Sequence, residues 1–147
     1  MFDPTTTINR LEYLCQTISP QLEAMDEAAF AHKPAPDKWS PKEIIGHLID
    51  SATNNHQRFV RAQFETEPHI VYDQNNWNAH SYYQQMPKAQ VIGFWRAYNL
   101  HLVQLFRLIP AEHWNRVCRT NAPHPLSYIL EDYVAHMEHH LRFLQEQ

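Results

Sequence analysis

Three histidines fall within five residues near the C-terminal end of the chain, in the run Tyr133-Val-Ala-His136-Met-Glu-His139-His140-Leu-Arg-Phe143. On an α-helix, residues four apart share a face, with Cβ atoms about 5–6 Å apart. His136 and His140 have that spacing and could offer two imidazoles to one cation. A 136/139 pair is also within helical reach, so His139 leaves a second register open. Imidazoles without a thiolate suit Zn2+ first, with Ni2+, Fe2+ or Cu2+ as alternatives. Three protein ligands would leave an open coordination position, the mark of a catalytic rather than a structural site. Such an ion can lower the pKa of bound water to about 7 or ionise a bound thiol.

A third ligand must come from another element, and the clearest helix start in the sequence supplies one. Ser40-Pro41-Lys42-Glu43 reads as a capping box: the Ser oxygen takes the N–H three residues on, and the Glu reaches back to the Ser N–H. Pro41 suits the first helical position, and Trp39 precedes the cap as a hydrophobic staple against Ile44 or Ile45. This second main helix should run from Pro41 to about Gln63 or Glu65, with Ile44, Ile45, Leu48, Ala52, Phe59 and Val60 on its apolar side. His47, Ser51, Asn54, Asn55 and Arg58 form a polar edge beside that stripe. His47 lies about 10 Å from the helix start at 1.5 Å per residue.

The other helices follow from apolar spacing. Ile8, Leu11, Leu14, Cys15 and Ile18 predict a first helix that ends near Ser19-Pro20, with a short helix over Asp26–His32 after it. Pro87 opens the third, whose Val91, Ile92, Phe94, Trp95, Tyr98, Leu102, Leu105, Phe106 and Ile109 predict deep burial, and Pro110 ends it. Ala111–Arg116 reads as a short helix and residues 121–125 as a turn. The fourth runs from Leu126 to Leu144, with Ile129, Leu130, Tyr133, Met137 and Leu141 inward. Residues 67–86 lack a long apolar stripe, and a connection of that length in a compact domain is often functional. A turn or two of helix is expected there around Trp77–Tyr83.

His47 can share a level with His136 and His140 only if the second and fourth helices are antiparallel. A simple up-down-up-down bundle would make them parallel. The long connection between helices 2 and 3 removes the conflict, because it can cross the bundle and leave those two helices parallel. The expected fold is therefore an all-α four-helix bundle, up-down-down-up, with residues 1–147 as a single domain.

Composition narrows the function classes. Only two glycines and ten prolines occur, which favours long helices over an all-β domain. The formal net charge is −4 with no basic block, which argues against nucleic acid as a partner. No apolar run nears the roughly 20 residues of a membrane span. Cys15 and Cys118 form no C-x-x-C pair, so a reduced, cytoplasmic location is expected, and both thiols read as inert. Asp50, Asp132 and Glu138 are candidate acceptors for the outward N–H of ligand histidines, although Asp50 reads first as a surface carboxylate. His56, on a different level from His47, reads as a surface residue.

The chain resembles the DinB-like family (DinB/YfiT-like metalloenzymes). The residues that carry the resemblance are Pro36-Asp37-Lys38-Trp39-Ser40-Pro41-Lys42-Glu43-Ile-Ile-Gly46-His47-Leu-Ile-Asp50 and the terminal His136-x-x-x-His140. Tyr72-Asp73…Trp77 and Ala111-Glu-His113-Trp114 are similar to family segments as well. The resemblance implies an up-down-down-up bundle, often a homodimer, with a divalent metal on His47, His136 and His140. It also implies a metal-dependent enzyme acting on a small molecule, either a thiol S-transferase using a low-molecular-weight thiol or a hydrolase using water. Two other readings stay open: a non-catalytic bundle that binds a metal or small ligand, and a metal-free bundle working through a dimer surface.

Overall fold

A computed structural model describes residues 1–145. Six α-helices make up most of it: α1 (Thr5–Ala24), α2 (Glu27–Phe30), α3 (Pro41–Arg61), α4 (Gln74–Ala79), α5 (Lys88–Leu108) and α6 (Leu126–His140). Four of these, α1, α3, α5 and α6, form the bundle. Their directions can be read from side-chain partners. Arg107, late in α5, reaches Asn9 and Glu12 early in α1, while Lys88 at the start of α5 meets the carbonyls of Glu23 and Met25, so α1 and α5 are antiparallel. His56 meets Tyr98 and Phe59 meets Phe106, so α3 and α5 run parallel. Thr7 bonds Glu131 and Arg10 bonds Glu138, so α1 and α6 are parallel. The order is up-down-down-up, as expected from the sequence.

Local chemistry explains where these helices begin. The Ser40 hydroxyl accepts the Glu43 N–H at 3.1 Å and the Glu43 carboxylate accepts the Ser40 N–H at 3.0 Å, which completes the capping box. Asp26 and Asp73 cap α2 and α4 through the N–H groups of Ala29 and Asn76. Inside the bundle, Leu11, Leu22, Phe30, Ile45, Phe59, Trp95, Leu102 and Leu130 are fully buried.

Several local expectations are corrected. α1 does not stop at Pro20 but carries it inside the helix to Ala24. Proline removes one helical N–H and crowds the preceding turn, yet continuation buries Leu22 completely. α6 ends at His140 and the chain tightens into a 3-10 turn over Leu141–Gln145. Phe94 is not deep in the core but about half exposed. The turn at 121–125 belongs to a short hairpin, β1 (Val117–Arg119) with β2 (Pro123–Pro125), antiparallel with Cys118 opposite His124. The fold thus carries one small two-stranded sheet beside its helices. The long connection splits into α4 and a 3-10 turn over Tyr83–Gln85, entered through Tyr82 in the left-handed region at φ 59°. Among the described residues no helix is long and apolar enough to cross a membrane.

Candidate metal centre

α3 and α6 bring His47, His136 and His140 together. One ring nitrogen from each lies within 4.8 Å of the others. His47 Nε2 and His136 Nε2 are 3.2 Å apart. Two nitrogens bound to one tetrahedral ion at about 2.0–2.1 Å lie about 3.3 Å apart, so that pair already has the spacing of two ligands. The His47 ring meets those of His136 and His140 at 70° and 67°, edge to face. His139 is exposed and lies outside the cluster, its ring 5.3 Å from that of His140.

The electrostatics favour neutral imidazoles with free lone pairs. Burial lowers the pKa of His47 to about 3, and the other two histidines of the cluster push the same way. Burial, with His136 and His139 nearby, lowers that of His140 to about 4. His136 is lowered by burial while Asp132 pulls it upward. Neutral imidazole is the form that binds a metal. The Trp39 ring lies 4.9 Å from that of His47 and 6.4 Å from that of His140, an aromatic wall against the cluster.

On α3 the structure leaves two complementary side-chain atoms unpaired. His47 Nδ1 and Asp50 Oδ2 are both buried without a hydrogen-bond partner. They sit three residues apart on α3, within one turn of each other. With Nε2 as the metal-binding nitrogen, the ring proton would sit on Nδ1, which makes one group a donor and the other an acceptor. Tyr83 donates its hydroxyl to the other oxygen of Asp50, Oδ1, at 2.5 Å. Asp50 is therefore no surface carboxylate: it is 2% exposed, and burial raises its pKa to about 6 despite that hydrogen bond. Tyr83 had no signal in the sequence, since its contact with α3 depends on how the connection folds back. His56 is also less exposed than expected, with its Nδ1 2.8 Å from the Tyr98 hydroxyl.

Two openings reach the cluster. His140 lines a groove of about 610 Å3 with Trp39, Ile44, Gln74 and Asn75. His136 lines a separate polar pocket of about 90 Å3. Tyr72 and Trp77 stack edge to face at 5.7 Å and pin the connection together. Both cysteines are buried and free, and burial pushes Cys15 up to about 12, in keeping with an inert thiol.

The model of the DinB superfamily matches residues 10–144. The chain belongs to the DinB superfamily. Among solved structures it is similar to YfiT from Bacillus subtilis, described as a probable metal-dependent hydrolase with an unusual four-helix bundle topology. That match has 20% identity and a TM-score of 0.87, and covers 97% of this chain and 83% of that one. It is also similar to a mycothiol-dependent maleylpyruvate isomerase at 15% identity and a TM-score of 0.75. That second match covers 95% of this chain but 60% of the isomerase, so the DinB bundle spans only part of that protein. At these identities the likeness is one of fold. No curated protein matches the chain significantly.

Proposed function

We propose that this DinB bundle is a metal-dependent enzyme whose divalent ion, zinc first and nickel or iron after it, is held by His47, His136 and His140. The observation that carries this reading is the convergence of three neutral imidazoles from two antiparallel helices, one pair at ligand spacing. The group consists of these three residues among the described residues, which favours an open position over a closed, purely structural site. An ion on this set would supply Lewis acidity, lowering the pKa of a thiol or water placed beside it. The reaction class is transfer of a low-molecular-weight thiol, or hydrolysis. The descriptions of the two similar structures, one as a probable metal-dependent hydrolase and one as a thiol-dependent isomerase, lend support to those two classes.

The chain's own residues have definable parts in this scheme. Asp50, held by Tyr83, faces the task of accepting the His47 Nδ1–H, which would orient the ring with Nε2 forward. Trp39 shields the rings on the groove side. The groove beside His140 has room for a small organic molecule. The test is substitution of His140 by alanine. Elemental analysis of metal-replete protein should fall from about one ion per chain to well below it, and the rate of thiol transfer to a panel of electrophiles should fall with it. Unchanged metal content and rate would refute the assignment.

A further inference from the structure

The 90 Å3 pocket beside His136 is lined by Ser51, Asn55, Arg58, Tyr72 and Asp132. Arg58 stands out within it. It is half-buried, and none of the ion pairs among the described residues includes it. Its Nε and Nη2 donate to the Ile70 carbonyl at 3.1 and 2.9 Å, and its Nη1 donates to Asn55 Oδ1 at 3.3 Å. A guanidinium carries five N–H groups, so one donor on each terminal nitrogen remains. The Ile70 contact anchors the connection to α3, and Asp132, an exposed carboxylate of the same pocket, offsets part of the charge without forming an ion pair with it. Burial disfavours the cation, and for Arg58 that desolvation outweighs the pull of Asp132.

A cation kept beside a reactive centre, with spare donors in a small polar pocket, is suited to an anionic group. We propose that Arg58 makes this pocket a carboxylate subsite, so that the substrate class of the enzyme is a small electrophile bearing a carboxylate, held with its reactive carbon toward His136. This rests on the metal-centre reading for the word substrate, though not for the binding of the anion. The volume suits one carboxylate and little more. Asp132 lines the same pocket and offsets part of the positive charge, so a planar, singly charged carboxylate head fits better than a tetrahedral phosphate. Ser51 and Asn55, both buried, brace Arg58, Asn55 Nδ2 donating to the Ser51 carbonyl and hydroxyl oxygens at 2.8 and 3.3 Å.

The experiment is an NMR titration of the full, 15N-labelled chain without added metal at pH 7. Maleate is the probe, with its neutral diamide and inorganic phosphate as controls. Maleate should move the signals of Arg58 Nε–H and the amides of Asn55, Asp132 and Tyr133 saturably, and bind at least about tenfold more tightly than the diamide. Arg58→Gln should abolish that preference. Asp132→Asn, an exposed change that leaves the Ile70 anchor intact, should tighten maleate binding by about threefold. Equal binding of the diamide, phosphate bound as well as maleate, or an Asp132→Asn variant no tighter than wild type would each overturn the subsite. Metal binding is scored separately. A chain that loads metal but ignores maleate refutes the subsite alone, and one that binds maleate but never loads metal refutes the metal centre alone.

Discussion

Burial holds all three imidazoles of the cluster below the ordinary histidine value of 6.5, His47 at about 3 and His140 at about 4. In the metal-free chain this makes stability depend on pH with a definite sign. Between those values and 6.5 the unfolded chain binds more protons than the folded one, so stability is full above 6.5 and is lost as pH falls. Asp50 acts in the opposite sense. Its folded value of about 6 lies above the ordinary 3.8, so its contribution is present below 3.8 and lost as pH rises through 6. Three histidines against one carboxylate leave a net loss on acidification. Urea midpoints of metal-free protein should therefore decline from pH 7 to pH 4, and His47→Gln should flatten the decline. A midpoint that rises toward pH 4 would contradict the assigned protonation states. At this scale the sequence was only partly legible. Helical spacing brought out the 136/140 pair because it is local, and His139 was ambiguous until the face of α6 was known. The burial of Asp50 was invisible because it depends on Tyr83, 33 residues away in the chain.

Among the elements, α3 carries the most site chemistry, and Gly46 shows how tightly its position is set. A Cβ added there would lie 2.1–2.6 Å from three carbons of the Tyr83 ring. Tyr83 in turn holds Asp50, next to the histidine face. Gly46→Ala must push the ring away, and overpacking of this kind costs about 1–3 kcal/mol. Chemical denaturation should show that loss, and the displaced Tyr83 should lose its hydrogen bond to Asp50, visible as an altered carboxyl titration. A variant as stable as wild type would mean that the connection is looser than described. The start of α3 was legible because a capping box is written in four consecutive residues. The end of α1 was not, because the penalty of Pro20 is local while the burial of Leu22 that outweighs it is tertiary. The hairpin at 117–125 was missed for a related reason. Its strands are three residues each, two prolines lie in β2, and its pairing is supported by Pro68 and Ile70 from the distant connection. The half-exposed Phe94 shows that apolar spacing on α5 overstated the width of its buried face.

At the scale of the whole molecule, the parallel course of α3 and α5 makes α3 oppose α6 and so places the three histidine rings at one level. That topology was legible through two separate features, the uninterrupted length of residues 67–86 and the positions of the histidines within their helices. An ion bound across α3 and α6 binds the folded state alone, so it should stabilise by mass action, about 2.7 kcal/mol at a free concentration a hundredfold above Kd. Stripping zinc-loaded protein with a chelator should lower Tm, and His136→Ala should erase the difference between loaded and stripped protein. A chelator shift that survives in that variant would place the metal elsewhere.

His47 and His136 lie 89 residues apart along the chain. A pair so distant in sequence has no local encounter to rely on, and it meets only when the crossing connection has been laid down and the last long helix has docked. During refolding, capture of the ion should therefore lag behind helix formation and keep time with final docking, which would make the cation a stopwatch for completed assembly rather than a seed for it.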